Sequence, residues 1–134
     1  MNLLLDTHIV LWALKDDPKL PQKAKDLINN LNNRLFYSAA VIWEVEIKHQ
    51  ARPYEMKISG ADLSDLCKKA GYEVLPILEP HVCALETLNR PRSLQAHNDP
   101  FDLIILAQAK IEGLYFVTAD SLIPQYNENC IIPV

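Results

Sequence analysis

Short apolar runs alternate with stretches of helical periodicity along this chain, and no other feature restricts its fold as much. Residues 2–5 read as a short buried strand ending at Asp6, and helical character follows over 9–14. Pro21 suits a first helical position, and Ala24, Leu27, Ile28 and Leu31 follow at helical spacing up to an Asn-rich turn over 29–33. Residues 35–37 predict a second strand, and Ser38 is placed to cap a helix through Ala39, Val41, Glu44, Val45 and Lys48.

After a proline-containing connector over 52–58, a helix is expected from Ser59 or Gly60 to Lys69, stopped by Gly71. A third strand over 73–77, a helix over 79–88 and a polar loop over 89–98 come next. The strongly apolar segment 100–112, closed by Gly113, predicts a helix; 114–118 predicts a fourth strand and 130–134 a fifth. Strands that alternate with helices imply an α/β fold with a largely parallel central sheet and helices on both faces. Ligands of such sheets sit at the carboxyl ends of the strands, where distant loops converge.

At 134 residues, with no linker or internal repeat, the chain is expected to form a single domain over 1–134. The cysteines, Cys67, Cys83 and Cys130, lack any CxxC pairing and read as buried, reduced thiols. The apolar start is interrupted at once by Asp6 and His8, which is unlike a secretory signal, and no apolar run reaches the ~20 residues a membrane helix needs. A cytoplasmic protein is the expectation. A net charge of −4 argues against nucleic-acid binding by bulk electrostatics, so any RNA must be met locally.

The chemistry-bearing residues are acids. Asp6 and Asp120 each fall just beyond the carboxyl end of an expected strand, which brings both to one edge of the sheet. Glu44 lies among Ile42, Trp43 and Val45; a helix turns about 200° over two residues, so Glu46 faces nearly the opposite way and only one of the two meets the site. Glu44 is the choice, because Glu46 opens a polar run. Asp99 and Asp102 share a face at the start of the helix over 100–112.

Carboxylates converging in this way repel unless a divalent cation neutralises them, and hard oxygen donors favour Mg2+ or Mn2+. Such ions activate water and stabilise the charge of an in-line displacement at phosphorus, the reaction a nuclease performs. Structural roles compete with this reading: Asp99 before Pro100 suits a helix cap with Asp102 in a capping-box-like place, and Asp6 and Asp120 suit turns. Glu44 is hardest to explain structurally, since a carboxylate in an apolar stretch needs a partner or a metal. Thr7, Thr118 and His97 are candidates for contacts to phosphate or bound water, against the usual duty of a strand-end hydroxyl to local backbone. His8, His49 and His81 are assigned no chemistry, and Trp12 and Trp43 read as core or dimer contacts. No nucleophile elbow, P-loop or GxGxxG is present, and a haloacid-dehalogenase phosphatase would need an acid where His8 stands.

The segments LLLDTHIVLWAL from Leu3, SAAVIWEVEIK from Ser38, HNDPFDLIILAQA from His97 and FVTAD from Phe116 together resemble PIN-domain proteins, specifically VapC-type toxins of toxin-antitoxin pairs. The resemblance implies a PIN-like three-layer α/β/α sandwich, with Asp6, Glu44, Asp102 and Asp120 at the catalytic acidic positions and Asp99 as an extra acid binding Mg2+ or Mn2+. It also implies endoribonuclease activity, a homodimer, and inhibition by a VapB-like antitoxin whose tail enters the acidic groove. One departure is Leu103, where similar motifs usually carry arginine; the missing cation motivates a second reading, a catalytically weak module that binds RNA or protein. A third class is a phosphatase or flap-type DNA nuclease built on similar carboxylates.

Overall fold

The computed structural model describes residues 1–90 and 99–134. Its strands β1 (Asn2–Leu5), β2 (Arg34–Ser38), β3 (Glu73–Leu75), β4 (Tyr115–Thr118) and β5 (Ile131–Pro133) form one five-stranded sheet in the order β3-β2-β1-β4-β5. Every pairing is parallel, with Leu5 opposite Tyr37 on one side and Val117 on the other. The flanking helices are α1 (Thr7–Lys15), α2 (Gln22–Asn29), α3 (Ala39–Ala51), α4 (Gly60–Lys69), α5 (Glu79–Cys83) and α6 (Pro100–Glu112). The result is the α/β/α sandwich with a parallel sheet that the alternation of elements implies.

Burial explains the central position of β1. Neighbouring side chains on a strand point to opposite faces, yet Leu3, Leu4 and Leu5 are all fully buried, so helices must cover both sides of the sheet. The edge strands are short and wetter: Glu73 and Val74 of β3 are exposed, and β5 ends on exposed Pro133, which an edge tolerates because no ladder bond is lost. From β1 the chain steps outward through β2 to β3, then returns across the sheet to β4 and β5. Strand order therefore reverses between β1 and β4, the switch point at whose carboxyl ends sheets of this kind form a crevice.

Local chemistry fixes the helices that border the crevice. Ser38 caps α3 by accepting the Ala40 N–H at 3.0 Å. Asp99 caps α6, Pro100 supplies its preset first residue, and Gly113 closes it at φ +67°. At Gly60, α4 packs so closely on α3 that an added Cβ would lie 3.0 Å from the Ile42 carbonyl oxygen.

The structure departs from the sequence expectations in several places. Helix α1 begins at Thr7, directly after its capping residue Asp6, rather than at residue 9. Strand β3 stops at Leu75, ahead of Pro76, which has no N–H for a further ladder bond. The helix expected over 79–88 divides into α5 and a 3₁₀ turn, Ala84–Thr87, where the Thr87 hydroxyl donates to the Ala84 carbonyl and the Leu88 N–H bonds Leu85. Pro21 is the cap of α2 rather than its first residue, and Leu31 lies beyond that helix and is 99% exposed. Only Cys67 of the cysteines is fully buried; Cys130 is half-buried and Cys83 is exposed. Trp43 is also exposed, meeting Phe101 edge-on at 5.0 Å, whereas Trp12 packs against the core. Among the described residues no helix is long and apolar enough to cross a membrane.

Candidate functional site

Asp6 is the first residue past β1, and its N–H donates to the Val117 carbonyl of β4 at 3.0 Å, so backbone pairing pins it at the switch point. Its side chain is buried and committed at both oxygens. Oδ1 accepts the Thr7 N–H at 2.7 Å, capping α1, and Oδ2 accepts the Thr118 hydroxyl at 2.7 Å. Asp6 thus caps α1 while its charge still acts on Asp102.

Thr118 ends β4 and binds in two directions. While its hydroxyl donates to Asp6, its oxygen accepts the Asp120 N–H at 3.0 Å. Asp120 is held further by its own turn, in which Oδ1 accepts the Leu122 N–H at 2.7 Å. One threonine thereby connects the acid after β1 with the acid after β4.

Glu44 comes from α3 and points into the fold with 7% of its surface exposed. Its Oε1 accepts the Thr7 hydroxyl at 2.7 Å, and its Oε2 accepts from the Lys48 ammonium at 2.8 Å. Thr7 therefore serves two acids, Asp6 through its N–H and Glu44 through its hydroxyl. Glu46, on the other side of the helix, accepts the Gly60 N–H at 2.9 Å and tethers the start of α4. The helical rotation between the two glutamates separates them as their spacing requires.

Asp99 and Asp102 border the crevice from the start of α6. Asp99 Oδ1 accepts the Phe101 N–H at 2.9 Å and the Asp102 N–H at 3.4 Å, so Asp99 is a helix cap beside the acidic cluster. Asp102 is buried, and its carboxyl is pushed up to about 8, by burial first and then by the charges of Asp6, Asp99, Asp120 and Glu44. The Asp6 carboxyl is raised as well: burial outweighs the opposing effects of the Thr118 and Thr7 hydrogen bonds and of nearby His8, while Glu44 adds to the rise. The five acids singled out by the sequence thus share one electrostatic neighbourhood, although they span residues 6 to 120 of the chain.

Among the described residues, no three carboxylate, imidazole or thiol side chains are gathered into a ready coordination shell. Fit to a metal is one of donor chemistry and charge: hard oxygens, several negative charges, and a carboxyl raised by burial and by the acids around it. The hydroxyls of Thr7 and Thr118 face carboxylates, and His97 lies outside the described residues. His81 is buried between Leu78 and Glu112, away from the acids, and Leu103 packs against the core. Sequence reasoning missed Lys48 as a partner of Glu44. The i,i+4 order, acid before base on one helical face, was the available signal.

Residues 3–129 match the family model of the PIN domain. No curated protein matches the chain in sequence. Among solved structures, VapBC2 from Rickettsia felis bound to a DNA fragment from their promoter is similar with a TM-score of 0.69 at 17% identity, covering 99% of this chain and 98% of that one. A toxin-antitoxin complex from Klebsiella pneumoniae gives 0.60 at 16% identity, covering 97% and 95%, and VapBC-1 from nontypeable Haemophilus influenzae gives 0.60 at 22%, covering 90% and 87%. At such identities the likeness is one of fold.

Proposed function

Given that the chain belongs to the PIN-domain family, we propose that it is a single-domain, Mg2+- or Mn2+-dependent endoribonuclease, the cytoplasmic toxin of a VapBC-type pair. The observation that carries this reading is that buried Asp102 shares its neighbourhood with Asp6, Asp99, Asp120 and Glu44, burial first and then these charges raising its carboxyl to about 8. The structural neighbours, which are toxin-antitoxin complexes, support a VapB-like antitoxin as partner. A homodimer completes the proposed assembly.

Asp6, Glu44, Asp102 and Asp120, with Asp99 beside them, would hold the ion. A divalent cation in that position supplies a water of lowered pKa and neutralises charge developing on the phosphodiester. The protein contributes orientation. Thr7 and Thr118 fix Asp6 and Glu44 through charge-assisted hydrogen bonds, as supporting residues fix metal ligands generally. Burial and the neighbouring acids raise the Asp102 carboxyl to about 8, so metal binding there would be coupled to loss of its proton.

The test is cleavage of structured RNA. Purified protein is expected to cut it with Mn2+ or Mg2+, to stop with chelator, and to lose activity in Asp6→Asn. Equal cleavage by that variant, or cleavage in chelator, would sink the mechanism; parallel assays on DNA and small phosphate esters separate the other phosphate chemistries. A second reading, a module that binds RNA or protein without cutting, is favoured by Leu103, an apolar side chain packed against the core where similar motifs usually carry arginine. RNA binding without turnover at any metal concentration is its signature.

A further inference from the structure

Glu44 presents its two oxygens to unlike surroundings. Oε1 is bound by Thr7 in the buried start of α1, whereas Oε2 is capped by Lys48, whose side chain is 49% exposed against 9% for that of Glu44. The lysine lies one turn along α3, at the solvent side of the acid, with Nζ 2.8 Å from Oε2. Its ammonium thus holds the one Glu44 oxygen that Thr7 does not bind, an oxygen a metal ion would also take. A single positive charge and a double one cannot crowd one carboxylate oxygen without strong mutual repulsion.

We propose that Lys48 is an internal counter-cation that competes with the divalent metal for Glu44. In the metal-free protein the ammonium holds Oε2 and offsets part of the charge of the acidic cluster. When the ion binds, Lys48 swings out to solvent, a movement its half-exposed stem permits. Lys48 thereby sets the metal concentration at which the site fills. The inference rests on the metal-dependent reading above and adds a regulator to it.

An ordinary i,i+4 pair on a helix surface would contribute to stability alone, and equally in both states. Competition requires a coupling between Lys48 and the metal, and the experiment reads that coupling. Mn2+ binding by the full chain is measured calorimetrically for wild type, K48M and K48R, with thermal melts in chelator and in saturating Mn2+. K48M is expected to bind Mn2+ about two- to tenfold more tightly, to melt lower than wild type in chelator, and to approach wild type in saturating Mn2+. K48R is expected to restore the wild-type affinity. Should K48M not fold, K48Q carries the same readouts.

Unchanged Mn2+ affinity in the neutral variant overturns the inference alone, as does a melting deficit of the same size with and without metal. A wild-type protein that binds no Mn2+ overturns the proposed function and this inference with it.

Discussion

Helix α3 carries two glutamates, two residues apart, that are built into the protein by the same kind of bonding and serve opposite ends. Each takes one partner from its own helix four residues on, Lys48 for Glu44 and Gln50 for Glu46. Each takes another from a different helix, the Thr7 hydroxyl of α1 or the Gly60 N–H of α4. What differs is the company beyond those bonds. Glu44 adds its charge to a cluster of acids around buried Asp102; half-buried Glu46 is surrounded instead by the Gly60 and Gln50 donors and by His49. Hydrogen bonding alone leaves Glu44 and Glu46 alike; the surrounding charge sets them apart.

Substitution at the two positions is the most direct way to break this contrast. Glu44→Gln is expected to lower RNA cleavage by on the order of a hundredfold or more, as loss of a ligand or its support does, while Glu46→Gln leaves the rate nearly unchanged. Comparable losses in both variants would mean that α3 positioning, rather than the carboxylate, matters. A smaller effect is expected at the hydroxyls that bind the buried acids. Thr118→Val and Thr7→Val should each weaken Mn2+ binding by about tenfold, with Thr→Ser at either position close to wild type, as measured by titration calorimetry.

Protonation sharpens the contrast further, because the two regions respond to pH with opposite sign. The Glu46 carboxyl is lowered from 4.5, first by the Gly60 N–H and then by Gln50. Its contribution is therefore present above the unfolded value and lost as pH falls through the folded one. The Asp102 carboxyl is raised from 3.8 to about 8. The folded protein then binds the extra proton, so stability is greatest toward the acid side of this window and declines as pH climbs through it. Metal-free protein should accordingly melt lower at about pH 8.5 than at about pH 5, and Asp102→Asn should flatten that slope; saturating Mn2+ should flatten it too, by replacing the proton. A slope unaltered in Asp102→Asn would locate the linkage elsewhere. The least effect is expected for Gly60→Ala, where crowding against Ile42 and Glu46 costs about 1 kcal/mol by thermal or urea unfolding.

How much of this could be read beforehand followed the range of the forces involved. Buried runs such as Leu3-Leu4-Leu5 and local caps such as Ser38 and Asp99 are short-range signals, and they gave β1, α3 and α6 correctly. Elements whose form depends on side chain competing with backbone were misread: Thr87 takes a carbonyl bond and the expected helix tightens into a 3₁₀ turn. At the site, the acids were legible because each stands at an element end or in an apolar stretch. The bonds between them were not, since Thr7 reaching Glu44 and Thr118 reaching Asp6 depend on how β1, α3 and β4 come together in space. Lys48 was visible as a residue, but its pairing had meaning only once Glu44 was known to be buried.

The bond from Thr118 to Asp6 spans 112 residues. Its consequence concerns the ribosome. During synthesis Asp6 emerges well before β4, and until β4 follows the acid has neither the Val117 carbonyl nor the Thr118 hydroxyl to anchor it. At ordinary elongation rates that delay is on the order of ten seconds. Through that interval, and in any prematurely terminated product that lacks β4, the acids of this crevice are scattered along an unfinished polymer. The switch-point geometry thus makes the acidic cluster a product of the late chain, assembled only once β4 has been made.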